Sequence, residues 1–559
     1  MHRLHLLLAA ACAILAARPA AAGITERIPF PMQASGVELS LRADVALELA
    51  GHESVVLVGV PLPGGPVDVF VRRARADLDE LDLRVDGRPA RYVEDPLAST
   101  WRGRIVGIPD SDVLLGFSGA GSRGWIQSHT DLWHLLAGPG PNGDWNSSIS
   151  RFATEAELLR GGARPMPSCD ARPVPGSQPT PNPRASSGSQ ALMAPPGDTR
   201  LCRIAVETDY QLYQRFNNLN ALTAYMNQLF AATSARYDAD VQTQVQVVQL
   251  GLHSNPNDGW VSGDNGAGAG AMLDEFRNAW SGNLPNGAHL AHFVSGAGLG
   301  GGVAYLNVLC NSQYGFGVSG DLAGNTPFPV MQGPLSWDFF VVNHEIGHNF
   351  GSPHTHDYCP PLDECAPAGS FGQCQTTQTC SSSGTIMSYC HTCGNGMSNI
   401  APVFHPANAA TMRASIQASC LPVLCSAPQN YCGTAPNSYD PFGANITFYG
   451  SNRISQNNLV LATLGVPPNA FGLYFYGQNP SFAPFGNGIR CVGNPVFRLP
   501  IVQANVFGES DFVLDYNALP AGGSISAGQT WNFQLWYRNP AGGGAGFNLS
   551  DGLRVQFCP

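Results

Sequence analysis

Five residues in one short stretch have the types and the spacing of a catalytic metal site. His344 and His348 are four positions apart, Glu345 directly follows the first histidine, and Gly351 and His354 follow the second by three and six positions. Residues four apart on a helix project from the same face, so both imidazoles can reach one metal ion with Glu345 beside it. A glycine past the helix can take the left-handed conformation that turns the chain and returns His354 to the ion. Three imidazoles and a water molecule make an open zinc site suited to hydrolysis, in which the glutamate takes a proton from the water and passes it to the leaving amine.

A methionine-containing turn follows the histidine motif. Met387 stands within residues 384–391, read GTIMSYCH, 33 positions after His354. This run resembles the turn that passes beneath the zinc in metzincin peptidases. The two motifs together resemble the metzincin clan over about residues 200–420, nearest the reprolysin or adamalysin (M12B) branch in its bacterial secreted form.

The resemblance implies a fold, an activity and residue roles. The implied fold is an α/β metzincin catalytic domain with a twisted mixed sheet and helices, and the implied activity is that of a zinc metalloendopeptidase acting on proteins or peptides. One catalytic Zn²⁺ is then held by His344, His348 and His354. Glu345 is the general base and acid, and Met387 is the structural floor of the site.

Three residues near the motif leave alternatives open. Tyr389 resembles the tyrosine with which astacin-like and serralysin-like metzincins stabilise the oxyanion, and packing beneath the turn explains it equally well. In typical reprolysins an aspartate directly follows the third histidine, whereas here Asp357 comes two positions later and is a candidate replacement. His356 is a second candidate for the third metal ligand, although the spacing favours His354.

Hydrophobic patterns predict the elements that must position these side chains. Ser336 can cap a helix whose first turns, residues 337–342, are apolar, so the histidine motif should lie on a buried helix. Patterns within residues 203–247 predict strand, helix and strand, the beginning of a mixed sheet. Residues 289–296 and 302–306 resemble an inner strand and the edge strand that pairs with substrate in metzincins, since an edge strand offers unpaired backbone groups to an extended peptide.

The N-terminal residues predict export. Arg3, an apolar run over residues 4–17 and three alanines ending at Ala22 are typical of a secretory signal peptide, residues 1–22. No later segment reaches about 18 apolar residues, so we expect a soluble protein with no transmembrane segment. It should be secreted, or periplasmic in a Gram-negative organism.

Export predicts that most cysteines form disulfides. We expect closing pairs between Cys310 and Cys420, Cys491 and Cys558, and Cys425 and Cys432. Six cysteines within residues 359–393 should staple a loop of little apolar content, with a connectivity that spacing does not reveal. The alternative is a second zinc site that includes Cys390 and Cys393.

Composition divides the chain into a multidomain protein. Residues 23–162 contain short apolar runs between Gly, Pro and Asp and predict a β-rich propeptide, within which residues 101–126 loosely resemble reprolysin-type propeptides. Residues 163–198, rich in Pro, Ser and Gly, predict an exposed linker with the maturation site. Residues 199–422 form the predicted catalytic domain, and residues 423–559 have the spacing of strands and turns of an all-β sandwich, an accessory module.

One cysteine lies within this predicted linker. The Cys169 thiolate could occupy the open zinc position and keep a zymogen silent, the alternative being a disulfide to a cysteine of the mature part. Of the 15 cysteines, Cys12 lies in the signal peptide, so 13 remain once Cys169 has left. One of those must then be free or paired with another molecule.

The charge excludes some function classes and leaves others. The net charge is −11, charged residues make up only 12% of the chain and all 29 basic residues are arginine, which argues against nucleic acid as a partner. The rival functions are a catalytically silent metzincin scaffold that acts as a secreted binding or adhesion protein, and an amidase of cell-wall peptides. Trp536 leaves open a carbohydrate or protein ligand of the C-terminal module, against core packing. Structural Ca²⁺ also stays open, but no pattern indicates it.

Overall fold

The computed structural model describes residues 26–558 except positions 53, 74–80, 91–94, 109–110, 129–130, 141, 155–156, 158–167, 177–198, 325–336, 425–427, 450–451, 453, 455–456 and 458. The predicted signal peptide, the predicted helix cap Ser336 and much of the predicted linker therefore lie outside the described residues. Among the residues that the structure does describe, no helix combines the length and the apolar character needed to cross a membrane.

The N-terminal part is built on a ten-stranded sheet of described residues, ordered β1-β4-β5-β8-β9-β10-β11-β12-β3-β2. Its elements are β1 Arg27–Pro29, β2 Met32–Ser35, β3 Glu38–Leu41, α1 Ala43–Ala50, β4 Ser54–Leu62, β5 Gly65–Arg73, β6 Asp82–Val85, β7 Arg88–Pro89, β8 Ser99–Ile105, β9 Asp112–Phe117, β10 Arg123–Gln127, β11 Leu132–Gly138 and β12 Ile149–Thr154. On β5 the side chains of Val69 and Val71 fill its core, while the alternate residues Phe70 and Arg72 are directed to the other face. The predominance of β-strands agrees with the sequence pattern.

The central part is an α/β unit, as the resemblance implied. Its elements are β13 Ser168–Arg172, β14 Arg200–Thr208, α2 Tyr210–Tyr213, α3 Leu219–Val241, β15 Thr243–Leu252, α4 Val261–Asp264, α5 Ala269–Trp280, β16 Leu290–Val294, β17 Gly301–Tyr305, β18 Phe316–Ser319, α6 Trp337–Asn349 and α7 Pro406–Ala418. The described strands follow the order β13-β17-β18-β16-β14-β15-β6-β7. β17 is antiparallel to β18, whereas β18, β16, β14 and β15 are parallel to one another.

Both margins of this sheet carry strands from outside the predicted catalytic domain. β6 pairs in parallel with β15, and β13 pairs in parallel with β17. The first comes from the predicted propeptide and the second from the segment expected to be an unstructured linker. A strand of five residues with little apolar content forms there because the partner edge supplies its backbone hydrogen bonds.

The C-terminal part consists of β-strands in three sheets. Its strands are β19 Gln429–Tyr431, β20 Asn445–Tyr449, β21 Val460–Leu464, β22 Phe471–Gly477, β23 Pro480–Phe485, β24 Gly488–Val492, β25 Phe497–Gln503, β26 Ser510–Val513, β27 Thr530–Arg538, β28 Phe547–Leu549 and β29 Gly552–Gln556. The described strand orders are β19-β29-β27-β22-β25 with β28 on β27, β20-β21-β26, and β23-β24. Within β27 the alternate residues Trp531, Phe533, Leu535 and Tyr537 are buried, as predicted, and Trp536 is half-buried against Phe547.

Short 3₁₀ turns complete the described helices. They lie at Trp145–Ser147, Pro285–Gly287, Thr355–Asp357, Cys390–Thr392, Gly396–Asn399 and Pro540–Gly542.

Disulfides confirm part of the cysteine analysis and correct the rest. The Cys310–Cys420 bond is present, and the loop after the histidine motif is stapled by Cys359–Cys374, Cys365–Cys390 and Cys380–Cys393. A second zinc at Cys390 and Cys393 is therefore wrong, because both sulfurs are consumed in disulfides. The predicted pairs of Cys491 with Cys558 and Cys425 with Cys432 are also wrong, because Cys432 bonds to Cys491. Sequence proximity misled here, since β24 and the segment after β19 meet only in the folded module.

Candidate active site

Helix α6 carries the histidine motif through the interior of the central unit. Every residue of this helix is buried, so its polar side chains need partners within the protein. Asn349 donates to the carbonyls of Tyr305 and Phe316, and thereby attaches the end of the helix to β17 and β18. Asp338 in the first turn accepts hydrogen bonds from the backbone of Ala323 and Gly324. These contacts fix the position of the helix relative to the sheet.

The three predicted histidines converge on one point. The Nε2 atom of His348 lies 3.1 Å from that of His344 and 3.2 Å from that of His354. The third histidine returns as expected, because Gly351 has a φ of 92° and ends the helix in the left-handed region. Nitrogens that each bind one tetrahedral zinc at the usual bond length stand about 3.3 Å apart. The donor set therefore fits a zinc ion with a fourth position left open.

The other nitrogen of each imidazole has an acceptor. The Nδ1 atom of His344 is 2.6 Å from the carbonyl oxygen of Ile386, and that of His348 is 2.7 Å from the carbonyl oxygen of Ser352. An Nδ1 proton donated in this way leaves the Nε2 lone pair for a metal. Burial lowers the pKa of His344 well below its usual range and that of His348 to about 4. Both rings are therefore neutral near pH 7, the form that binds metal.

The structure distinguishes His354 from His356 as the third member of the histidine cluster. The His356 ring stacks on that of His354, with centroids 4.8 Å apart, and the group of three close imidazoles contains His354. Asp357 accepts a hydrogen bond from the His354 backbone at 3.1 Å and lies 3.3 Å from its Nδ1. The two-residue delay thus still brings a carboxylate to the third histidine, because the chain between them forms a 3₁₀ turn.

We expect Asp357→Asn to weaken zinc binding about 10- to 100-fold, since a carboxylate behind a metal-binding histidine orients the ring and raises its basicity. Competition with a chromophoric chelator measures the affinity. Asp363→Asn is the matched control, because this acid caps the backbone of Cys365 and not a histidine. Equal affinities of the two variants would show that Asp357 does not position His354.

The methionine turn lies against the motif helix as the resemblance implied. Met387 is fully buried, and a Cβ added to Gly347 would overlap its sulfur, so the thioether packs directly on the helix between the two helical histidines. Tyr389 is also buried, with its ring 4.7 Å from that of His354 and 4.8 Å from that of His356. It therefore lies beside the imidazoles and is not packed away from them.

The side chain of Glu345 extends from the motif helix to strand β17. Its carboxyl is completely buried, and burial raises its pKa well above the usual range. A Cβ added to Gly302 on β17 would overlap the Glu345 side chain. The absence of a side chain at Gly302 therefore leaves room for the carboxylate, a requirement that the sequence analysis missed although the glycine run at residues 300–302 offered a signal.

We expect Gly302→Ala to lower the rate of peptide hydrolysis about 10- to 100-fold without loss of zinc, because the added methyl group displaces Glu345 by a fraction of its own size. Steady-state kinetics and metal analysis of the purified protein measure the two effects. The control is Gly394→Ala, a position where an added Cβ meets no atom within 4 Å. A Gly302→Ala enzyme as active as this control would contradict the contact.

Strand β13 lies along β17 and brings Cys169 to the site. Cys169 is opposite Gly302 in the register of the pair, and its sulfur, a ring nitrogen of His344 and a carboxylate oxygen of Glu345 all lie within 4.8 Å of one another. Cys169 and Cys202 are the cysteines that remain outside disulfides among the described residues. The alternative of a disulfide from Cys169 is therefore wrong, and Cys202 in β14 is the second free thiol among the described residues.

The fold and the site are those of a metallopeptidase domain with a mixed sheet, helices and a buried histidine triad. Residues 198–400 match the model of Reprolysin_5, metallo-peptidase family M12. A match to this family implies a zinc-dependent protease, in agreement with the triad. No curated protein sequence matches the chain.

Two solved structures show weak similarity. The crystal structure of metalloproteinase-II from Bacteroides fragilis is 11% identical over 70% of this chain and 98% of that chain, with a TM-score of 0.38. The structure of a chaperone-substrate complex is 14% identical over 40% of this chain and 35% of that chain, with a TM-score of 0.25. At these scores neither structure defines the fold of this protein.

Proposed function

We propose that the chain is a secreted zinc-dependent endopeptidase of the reprolysin type, made as a zymogen. The observation that carries this proposal is the convergence of three imidazoles, with a carboxylate oxygen of Glu345 within 4.8 Å of a ring nitrogen of His344 and the Glu345 side chain packed against Gly302 of β17. The predicted signal peptide and the disulfides support export to an oxidising compartment, the cell exterior or the periplasm.

Each residue of the site has a role in peptide hydrolysis. His344, His348 and His354 would hold the zinc ion, which when bound polarises the scissile carbonyl and acidifies a water molecule. Glu345 takes the proton of the attacking water on its carboxylate and delivers it to the leaving nitrogen. Tyr389 is within the same cluster of rings, and its hydroxyl would donate a hydrogen bond to the developing oxyanion.

Strand β17 is the proposed platform for substrate. Its outer edge accepts a strand, because β13 pairs with it over five residues from Ser168↔Gly301 to Arg172↔Tyr305. An extended peptide in that place would pass directly over Glu345 at Gly302. Main-chain pairing of this kind gives affinity with little demand on the side chains of the substrate.

The same pairing supports latency of the unprocessed chain. β13 occupies the platform and places Cys169 against Glu345 and His344, so substrate and β13 compete for one edge. Cys169 would be the zymogen switch and the departing strand would open the site. The division into propeptide, linker, catalytic domain and accessory module at residues 162, 198 and 422 remains part of this proposal.

Cleavage of an unstructured protein by the processed chain tests the function. We expect cleavage at internal peptide bonds, its loss on chelation and its recovery with added Zn²⁺, together with about one zinc per chain. Peptidoglycan fragments assayed in parallel distinguish an amidase. A zinc-loaded, fully processed chain that cleaves neither substrate would favour the silent binding scaffold, which the intact Glu345 argues against.

A further inference from the structure

The C-terminal module contacts the N-terminal domain through two half-buried arginines. Arg72 on β5 donates a hydrogen bond to the Thr447 hydroxyl at 3.1 Å and another to the carbonyl of Phe448, and its guanidinium lies 3.0 Å above the centre of the Phe448 ring. Arg104 on the adjacent strand β8 donates to the carbonyl of Ile446 at 3.0 Å. Both arginines therefore bind the backbone of one strand, β20, of the module.

Acidic side chains of the module face Arg104 and a third arginine, Arg27. The Asp551 carboxylate is 3.8 Å from Arg104, with side-chain exposures of 3% and 13%. Glu509 is 4.0 Å from Arg27 on β1. The contact is therefore complementary in charge, with the cations on the N-terminal domain and the anions on the module.

The geometry of the strands shows why these residues face outwards. Along β5 the side chains of Val69 and Val71 enter the core of the N-terminal domain, so Phe70 and Arg72 project from its other face. Phe70 is nonetheless only 5% exposed, and it shares a narrow cleft with Leu464 and Asn445 of the module. Burying an arginine is costly unless it has hydrogen-bond acceptors, and β20 supplies three of them to Arg72 and Arg104, at Thr447, Phe448 and Ile446.

We propose that the C-terminal module is an anchor for the propeptide, which holds it through Arg72, Arg104 and Arg27 after the linker has been cut. Cutting within residues 177–198 would then leave β13 in the active-site groove until the anchor also releases. Activation would have two steps, cleavage and dissociation, and the second would uncover on the module an acidic face that accepts arginine. This inference rests on the proposed zymogen.

The test uses the full chain in the inactive Glu345→Gln background, so that peptidase activity plays no part. A recognition sequence for a specific protease is placed within residues 177–198, the chain is held by a C-terminal tag, and the propeptide that remains bound after cutting is followed over time. We expect the propeptide to be released about 10- to 100-fold faster from the Arg72→Ala, Arg104→Ala double variant, because each replacement removes charge-assisted hydrogen bonds to the module. Arg151→Ala, an exposed arginine of the same sheet, is the matched control and should release at the parent rate.

A variant on the module protects the test against misfolding of the propeptide. Thr447→Val keeps the shape of the side chain and removes the acceptor for Arg72, so it should speed release in the parent and change little in the Arg72→Ala chain. Release of the double variant at the rate of the Arg151→Ala control would overturn the anchor. A chain that retains its propeptide but, with Glu345 restored and the propeptide removed, cleaves no substrate would overturn the peptidase and leave the anchor standing.

Discussion

Replacement of Glu345 by glutamine should reduce kcat for peptide hydrolysis about 100- to 10,000-fold, the usual contribution of a positioned general base and acid. Glutamine has the shape of glutamate, so it fits the space beside Gly302 and leaves the three histidines in place. The amide cannot accept the proton of the attacking water. Bound zinc should stay at the level of the parent enzyme, and kcat and metal content are measured on the same processed sample.

The control for this variant is Glu364→Gln. Glu364 is a half-buried glutamate of the disulfide-stapled loop, whose backbone pairs with Thr379. Its replacement removes the same charge from the same domain and should leave kcat unchanged within a factor of about 2. Retention of full activity by Glu345→Gln, with zinc bound, would remove this residue from the proposed mechanism.

The uncut chain should become active towards a short peptide when Cys169 is replaced by alanine. In the uncut parent chain the thiol lies beside His344 and Glu345, and β13 pairs with β17. The variant keeps strand β13 but loses the sulfur. A short peptide should therefore reach the site, whereas a longer substrate that must pair with β17 should still be excluded. We expect the rate of the uncut variant to exceed that of the uncut parent at least about tenfold. A tenfold change corresponds to about 1.4 kcal/mol in the free energy with which the thiol blocks the site.

Cys202→Ala tests whether the loss of any buried thiol has this effect. Cys202 is fully buried in β14 and outside the site, so its removal should change stability and not latency. A short fluorogenic peptide and a linker made resistant to proteolysis keep cleavage out of the measurement. If uncut Cys169→Ala is as silent as the parent, latency depends on the strand pairing of β13 alone.

The chemistry of the candidate site could be predicted from local sequence because its key residues lie on a single helix and the turn that ends it. His344, Glu345 and His348 are placed by helical periodicity, and Gly351 adopts the positive φ that the pattern required. The strand at residues 302–306 was also predicted and forms at Gly301–Tyr305, but it is not at the edge of the sheet in the uncut chain, because β13 pairs with its outer side. Asp357 was left open by the sequence, because only the 3₁₀ turn decides whether it reaches His354.

Pairings between distant segments could not be predicted in this way. Nothing local indicates that Ser168–Arg172 forms a strand, because its order comes from hydrogen bonds to β17 more than 120 residues away. The same reason explains the errors in the disulfides, where Cys432 reaches Cys491 across the folded module.

The sequence by itself determined the class of chemistry, a histidine triad with an adjacent glutamate on a buried helix, because helical spacing converts neighbours in sequence into neighbours in space. Tertiary structure alone decided which strand pairs with β17 beside that site and which faces of the N-terminal and C-terminal parts meet. β13 pairs with β17 there, and Arg72 on β5 and Arg104 on β8 form hydrogen bonds to β20. These contacts depend on how sheet edges and strand faces from separate domains meet, which no periodicity within a segment records.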